Sequence, residues 1–210
     1  MFLSRIELDL KRRETLRALT NPNFLHGAIE QSFEGGRGRR LWRVDRFDDL
    51  CFLLVLSGEQ PDFTALAEQF GDISEKGWEV KPYADFINNI NAGRVWRFML
   101  CANPVHSVKE GESGRGKIYA HITETHQKQW LLDRTDKNGF SLADENFSVI
   151  RSEWAKFTKK TDAKKDVTIL RAVYEGVLTV TDPDSFRNAL ANGIGRAKAY
   201  GCGLLTVMRL

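Results

Sequence analysis

The sequence is short of the residues that mark a secreted, metal-stapled or membrane protein. It has only three cysteines, Cys51, Cys101 and Cys202, odd in number and far apart. That argues against a disulfide framework and a zinc ribbon, and it fits a reducing cytoplasm. No apolar run approaches the ~20 residues of a membrane span; Cys51 to Leu56 is typical of the longest. The start, Met1-Phe2-Leu3-Ser4-Arg5, lacks the apolar stretch of a secretory signal. No Gly-x-Ser-x-Gly elbow is present, so a Ser-His-Asp hydrolase has no support. Histidines are few: His26, His106, His121 and His126. His121 and His126 are five apart, about 140° around an ideal helix, which is not the i, i+4 spacing of a metal-binding face. The expectation is no metal and no cofactor.

What is present can build a core. The chain is 42% hydrophobic and 28% charged over 210 residues, enough for one large domain or two of about 100 residues. Net charge is only +3, but it is unevenly spread. Arg37, Arg39, Arg40, Arg43 and Arg46 fall in one ten-residue stretch, and Lys156, Lys159, Lys160, Lys164 and Lys165 in another. Such runs are either solvated loops or local positive fields that suit a polyanion.

Periodicity orders the first half. Phe2 to Leu10 alternates as a strand, and a helical stretch follows. Asn21 before Pro22 predicts an N-cap and first-turn proline for a helix reaching about Phe33, with Leu25, Ala28, Ile29 and Phe33 as its buried stripe. Strands over Leu41–Arg46 and Leu50–Ser57, a short helix near Phe63–Phe70 and a strand near Trp78–Tyr83 complete the order β-α-β-β-α-β. That is the ferredoxin-like split unit. The pattern relaxes over Asn88 to Gly93, which places a boundary between units 1–90 and 91–210. The second unit reads as a strand over Arg94–Ala102, a helix over Thr123–Arg134 and an extended stretch over Phe147–Phe157. The basic run follows, then a long β region over Val167–Thr181, bent or bulged at Gly176. A helix capped by Asp182-Pro183 carries Phe186, Ala189, Leu190 and Ile194 on one face, and a last strand covers Gly203–Met208. The expected fold is α+β, two ferredoxin-like (RRM-like) domains in tandem.

His26 is one candidate for chemistry. It lies roughly 85° from the centre of its helix's apolar stripe at 100° per residue, at the edge of the buried face, and Gly27 leaves room beside it. Read alone it is equally an ordinary boundary histidine. The arginine-rich segment that follows makes it a workable acid/base for RNA cleavage. Gly193-Ile194-Gly195-Arg196-Ala197-Lys198-Ala199-Tyr200-Gly201-Cys202-Gly203 is the sharpest motif. It is no dinucleotide fingerprint, because Lys198 stands where a third glycine is needed and no βαβ unit can follow. Gly193, Gly195, Gly201 and Gly203 with Arg196 and Lys198 make either a turn closing a sheet or a loop whose backbone approaches phosphates.

The run Gly193 to Leu205 resembles the C-terminal glycine-rich loop of the CRISPR-associated repeat-RNA endoribonucleases. Phe98 to Pro104, Tyr174 to Val180 and the Met1-Phe2-Leu3-Ser4 start are similar to the CasE branch, the type I-E Cascade subunit, in the same order along nearly the whole chain. The resemblance implies two ferredoxin-like domains and metal-independent cutting of the CRISPR repeat RNA beside its stem-loop. It implies retention in a complex with other Cascade subunits, with no membrane. His26 matches the family's catalytic histidine; the position that commonly holds tyrosine is Asn23, and relatives' helix lysine falls where Glu30 and Gln31 stand. The RNA-binding set implied is Arg37, Arg39, Arg40, Lys156, Lys159, Lys160, Lys164, Lys165, Arg196 and Lys198, with the lysine run at a hairpin tip. A binding subunit without turnover and a protein-interaction scaffold remain the rival readings of the residues themselves.

Overall fold

A computed structural model of the chain describes residues 1–35, 38–72, 77–109, 116–158 and 166–210. The first unit runs β1 (Phe2–Glu7), α1 (Arg13–Thr20), α2 (Pro22–Gln31), β2 (Leu41–Phe47), β3 (Leu50–Ser57), α3 (Thr64–Phe70) and β4 (Trp78–Pro82). Its strands form an antiparallel sheet in the order β2-β3-β1-β4, the ferredoxin-like arrangement. One face carries Ile6, Trp42, Leu53 and Val55 into a core with Leu19, Leu25, Ile29, Phe63 and Phe70 from the helices. Period two on the strands and the 3.6-residue stripe on α2 place these side chains together.

A short helix, α4 (Ala84–Asn88), leads into the second unit. It comprises β5 (Val95–Ala102), the hairpin β6 (Val105–Val108) and β7 (Lys117–Ala120), α5 (Glu124–Leu132), β8 (Phe140–Ser141), β9 (Phe147–Thr158), β10 (Asp166–Val180), α6 (Pro183–Asn192) and β11 (Leu205–Arg209). The sheet order is β11-β5-β10-β8, with β9 also paired to β10. Without the insertions, β11-β5-β10-β9 repeats the order of the first sheet. Trp96, Phe98, Leu100 and Tyr174 pack there against Trp130, Leu131, Phe186 and Leu190. Leu41 and Leu56, from the outer face of the first sheet, join this core, so the two units share an apolar seam.

Two local expectations change. The register shift between β9 and β10 falls at Val173/Tyr174, not at Gly176. Gly176 is required for close approach, since a Cβ there would lie 2.2 Å from the Asn146 carbonyl oxygen and 2.5 Å from Phe147 Cα. His121 lies before α5 rather than on it, so the helical-angle argument separating it from His126 does not hold. Among the described residues, no helix is long and apolar enough to cross a membrane.

Candidate active site and nucleic-acid interface

The candidate site is built on α2. The Asn21 side chain accepts a hydrogen bond from the Asn23 backbone N–H at 3.2 Å, satisfying one of the donors that a helix start leaves open. Leu25 and Ile29 fix the helix on the first sheet. His26 is half-buried at the rim of that face, and a Cβ on neighbouring Gly27 would meet nothing within 4 Å. Among the described residues the His26 imidazole has no hydrogen-bond partner, so both ring nitrogens are available to a ligand.

Opposite α2 lies the glycine-rich loop, whose 3₁₀ turn Lys198–Tyr200 packs on α2 and β2. Gly193, Gly195, Gly201 and Gly203 all have positive φ, between 73° and 93°. Side chains there would run into Leu41, Trp130, Trp42 and the Ile194 carbonyl. The close approach that these glycines permit is thus, first of all, to the chain's own two cores. Lys198 Nζ donates to the Asn192 carbonyl at 2.7 Å. Burial, and then the nearby Arg39 guanidinium, hold its amine below the usual lysine range. Arg39 itself bonds the Asn192 side chain, while Arg196 is exposed.

The third component is the far end of β9. Asn23 Nδ2 donates to the Thr158 carbonyl at 3.2 Å, and the Phe157 and Tyr200 rings meet at 4.8 Å between centroids. Helix α2, the glycine-rich loop and the end of the β9–β10 pair therefore converge. Lys156 is exposed on β9. Lys159, Lys160, Lys164 and Lys165, and Arg37 of the arginine stretch, lie outside the described residues; Thr158 and Asp166, which flank the lysine run, are paired across the two strands.

The arginine stretch is not the open cationic surface its composition suggests. Arg40, expected to face RNA, is buried: it pairs with Glu30 at 2.6 Å and stacks on Phe33 at 4.0 Å. Arg43 is 2% exposed. It grips Asp45 through two bonds, at 2.5 and 2.8 Å, and donates to the Met99 and Leu204 carbonyls and to Thr206 Oγ1. It clasps the first sheet to the second just where the glycine-rich loop re-enters the fold. The sequence signal was Asp45 two residues on, which places both side chains on one face of a strand. Sequence reading also missed the Asn23–Thr158 link and a clustering of His106, His121 and His126, with ring centroids 4.6 and 5.8 Å apart in turn. Among the described residues, no group of three or more His, Cys, Asp or Glu side chains could hold a metal ion.

The chain matches the family of CRISPR associated proteins over residues 1–209. It belongs to that family. It is similar to the CRISPR-associated endoribonuclease Cse3 of Thermus thermophilus, 29% identical over 220 residues that cover 99% of both chains. It is 28% identical over 167 residues to the CRISPR system Cascade subunit CasE of Escherichia coli, covering 76% of this chain and 75% of that one. A solved structure of the CRISPR endoribonuclease Cse3 bound to a 19-nucleotide RNA superimposes with a TM-score of 0.80 at 27% identity, covering 99% of this chain and all of the other. Both units and the glycine-rich loop thus fall within the shared fold.

Proposed function

We propose that this family member is a metal-independent endoribonuclease that cuts CRISPR precursor RNA beside the repeat stem-loop. The observation that carries this reading is His26: a half-buried imidazole with no partner among the described residues, on the helix α2 that packs against the 3₁₀ turn of the glycine-rich loop, in a chain aligned end to end with a named endoribonuclease.

The chemistry is an in-line displacement. The ribose 2′-oxygen attacks the adjacent phosphorus as the 5′-oxygen leaves, giving a 2′,3′-cyclic phosphate and a free 5′-hydroxyl. His26 takes the 2′-hydroxyl proton or gives one to the leaving oxygen, a contribution typically worth about 10²–10⁴-fold. Lys198 and Arg39, held near one another, and exposed Arg196 supply positive charge as negative charge grows on the phosphate. Asn23 carries an amide and titrates nothing at neutral pH; its role is to hold α2 to β9. Arg40 belongs to the scaffold.

The lysines from Lys156 to Lys165 track the phosphates of the A-form stem, whose deep major groove hides the bases from side chains. Residues 1–90 and 91–210 act as two units sharing one site. The work is done in the cytoplasm, in keeping with three buried free thiols. Likeness to a Cascade subunit supports retention on the stem-loop within a multi-subunit complex. The test is incubation of a repeat RNA in EDTA with the native protein and with His26→Ala. Cutting by the native protein alone is expected; tight binding without cutting by either would make it an RNA-holding subunit.

A further inference from the structure

Beside the glycine-rich loop, at Gly195 and Arg196, lies a groove of about 780 Å³ whose other walls the proposed cleavage does not use. Its walls are the β6–β7 hairpin, His121, the end of α5 with Asp133 and Arg134 beyond it, and residues Gly195 and Arg196. Two neighbouring rings line it, His106 and His121 at 4.6 Å and 37°, with Tyr119 6.0 Å from His106 and His126 5.8 Å from His121. The Arg134 guanidinium lies 4.2 Å over the Trp130 ring and presents a flat cation to the same space. Asp133 is the acidic residue of its lining, against Lys117, Arg134 and Arg196.

Two polar atoms of its lining residues are buried without a protein partner among the described residues, the Trp130 indole Nε1 and the Asn103 amide Oδ1. A buried donor or acceptor left unpaired keeps its full desolvation cost, so a ligand that satisfies both is favoured there. Burial, then His106, His126 and Arg134, keep the His121 imidazole below the usual histidine range. It is therefore largely neutral at pH 7, suited to stacking.

We propose that this groove seats an unpaired nucleotide of the RNA that flanks the stem-loop, its base against the His106–His121 pair, its polar edge on Trp130 Nε1 and Asn103 Oδ1, and its phosphate on Arg134 and Arg196. Stacked planar rings, a flat guanidinium and one buried donor–acceptor pair match how single-stranded bases are held. The inference rests on the RNA reading of the function, since Arg196 and the glycine-rich loop are common to both sites. Exposed Val108, Ile118 and Ile122 on and beside the same hairpin favour a protein occupant less, because a protein surface would leave the cation–ring wall unused.

The experiment measures affinity for two RNAs made uncleavable by a 2′-deoxy group at the scissile nucleotide. One is the stem-loop alone; the other adds its unpaired flanks. The native protein is expected to bind the flanked RNA about tenfold more tightly, the size of one stacked base. Asn103→Ala, which removes the acceptor, and the exposed His106→Ala should each lose most of that advantage while binding the bare stem-loop unchanged. No advantage in the native protein, or an advantage that both variants retain, overturns the groove proposal and opens the hairpin to a protein partner. Binding of neither RNA would instead overturn the functional reading beneath it.

Discussion

The two units have the same strand order yet spend their sequence differently. The first keeps short connections and places two helices, α1 and α2, after its first strand. The second inserts the β6–β7 hairpin at the corresponding place and extends the β9–β10 pair to 12 and 15 residues. As a result the first unit supplies a rigid helix bearing one available imidazole. The second supplies the surfaces around it: the glycine-rich loop, the β9–β10 end and the histidine-lined groove. On the proposed function, one topology thus yields a chemical half that carries the acid–base group and a gripping half that chiefly holds the RNA. Their relative position must then be held tightly, because acid–base chemistry requires hydrogen-bond reach.

The largest test of that division is Arg43. Arg43→Ala leaves Asp45 buried and uncompensated and removes three bonds to the second unit. The expected loss is about 3–5 kcal/mol of stability, read by urea unfolding. Replacing Arg43 and Asp45 together by apolar residues of similar volume should recover much of it, while cleavage stays impaired if the clasp sets the alignment. Full activity in that double variant would show that the two halves need no such clasp.

A second effect should appear in the gripping half alone. Neutralising Lys159, Lys160, Lys164 and Lys165 should weaken stem-loop binding. The slope of log affinity against log salt should fall by about one for each phosphate that a lysine no longer neutralises, with thermal stability unchanged. An unchanged slope would move the stem to another face. The smallest effect belongs to the chemical half. Asn21→Ala removes the cap of α2 and should cost about 1 kcal/mol, accompanied by faster amide exchange in the first turn. Exchange unaltered there would mean that tertiary packing alone holds the start of α2.

The chemical half was largely legible in the sequence because its signals are local. Asn21-Pro22 caps α2 as its chemistry dictates, and the 3.6-residue stripe set His26 at the rim where it is found. The glycine-rich loop stood out as a motif, but its backbone proved to be shaped by Leu41, Trp42 and Trp130, residues far from it in sequence. The gripping half depends on such long-range packing throughout. His106, His121 and His126 come together because a hairpin folds back beside α5, which helical spacing cannot reveal. Arg40 and Arg43 looked like surface cations in a basic run. Burial assigns them to Glu30 and Asp45 instead, since a guanidinium withdrawn from water needs a carboxylate and further acceptors.

The proposed cleavage turns on His26 as the group that moves the proton. Single-turnover cleavage of a repeat stem-loop in EDTA, by the native protein and by His26→Ala, tests it most directly. The account predicts a rate at least about 10²-fold lower for the variant, with RNA affinity within about twofold of native and a 2′,3′-cyclic phosphate on the native product. Cleavage by His26→Ala at close to the native rate would contradict it.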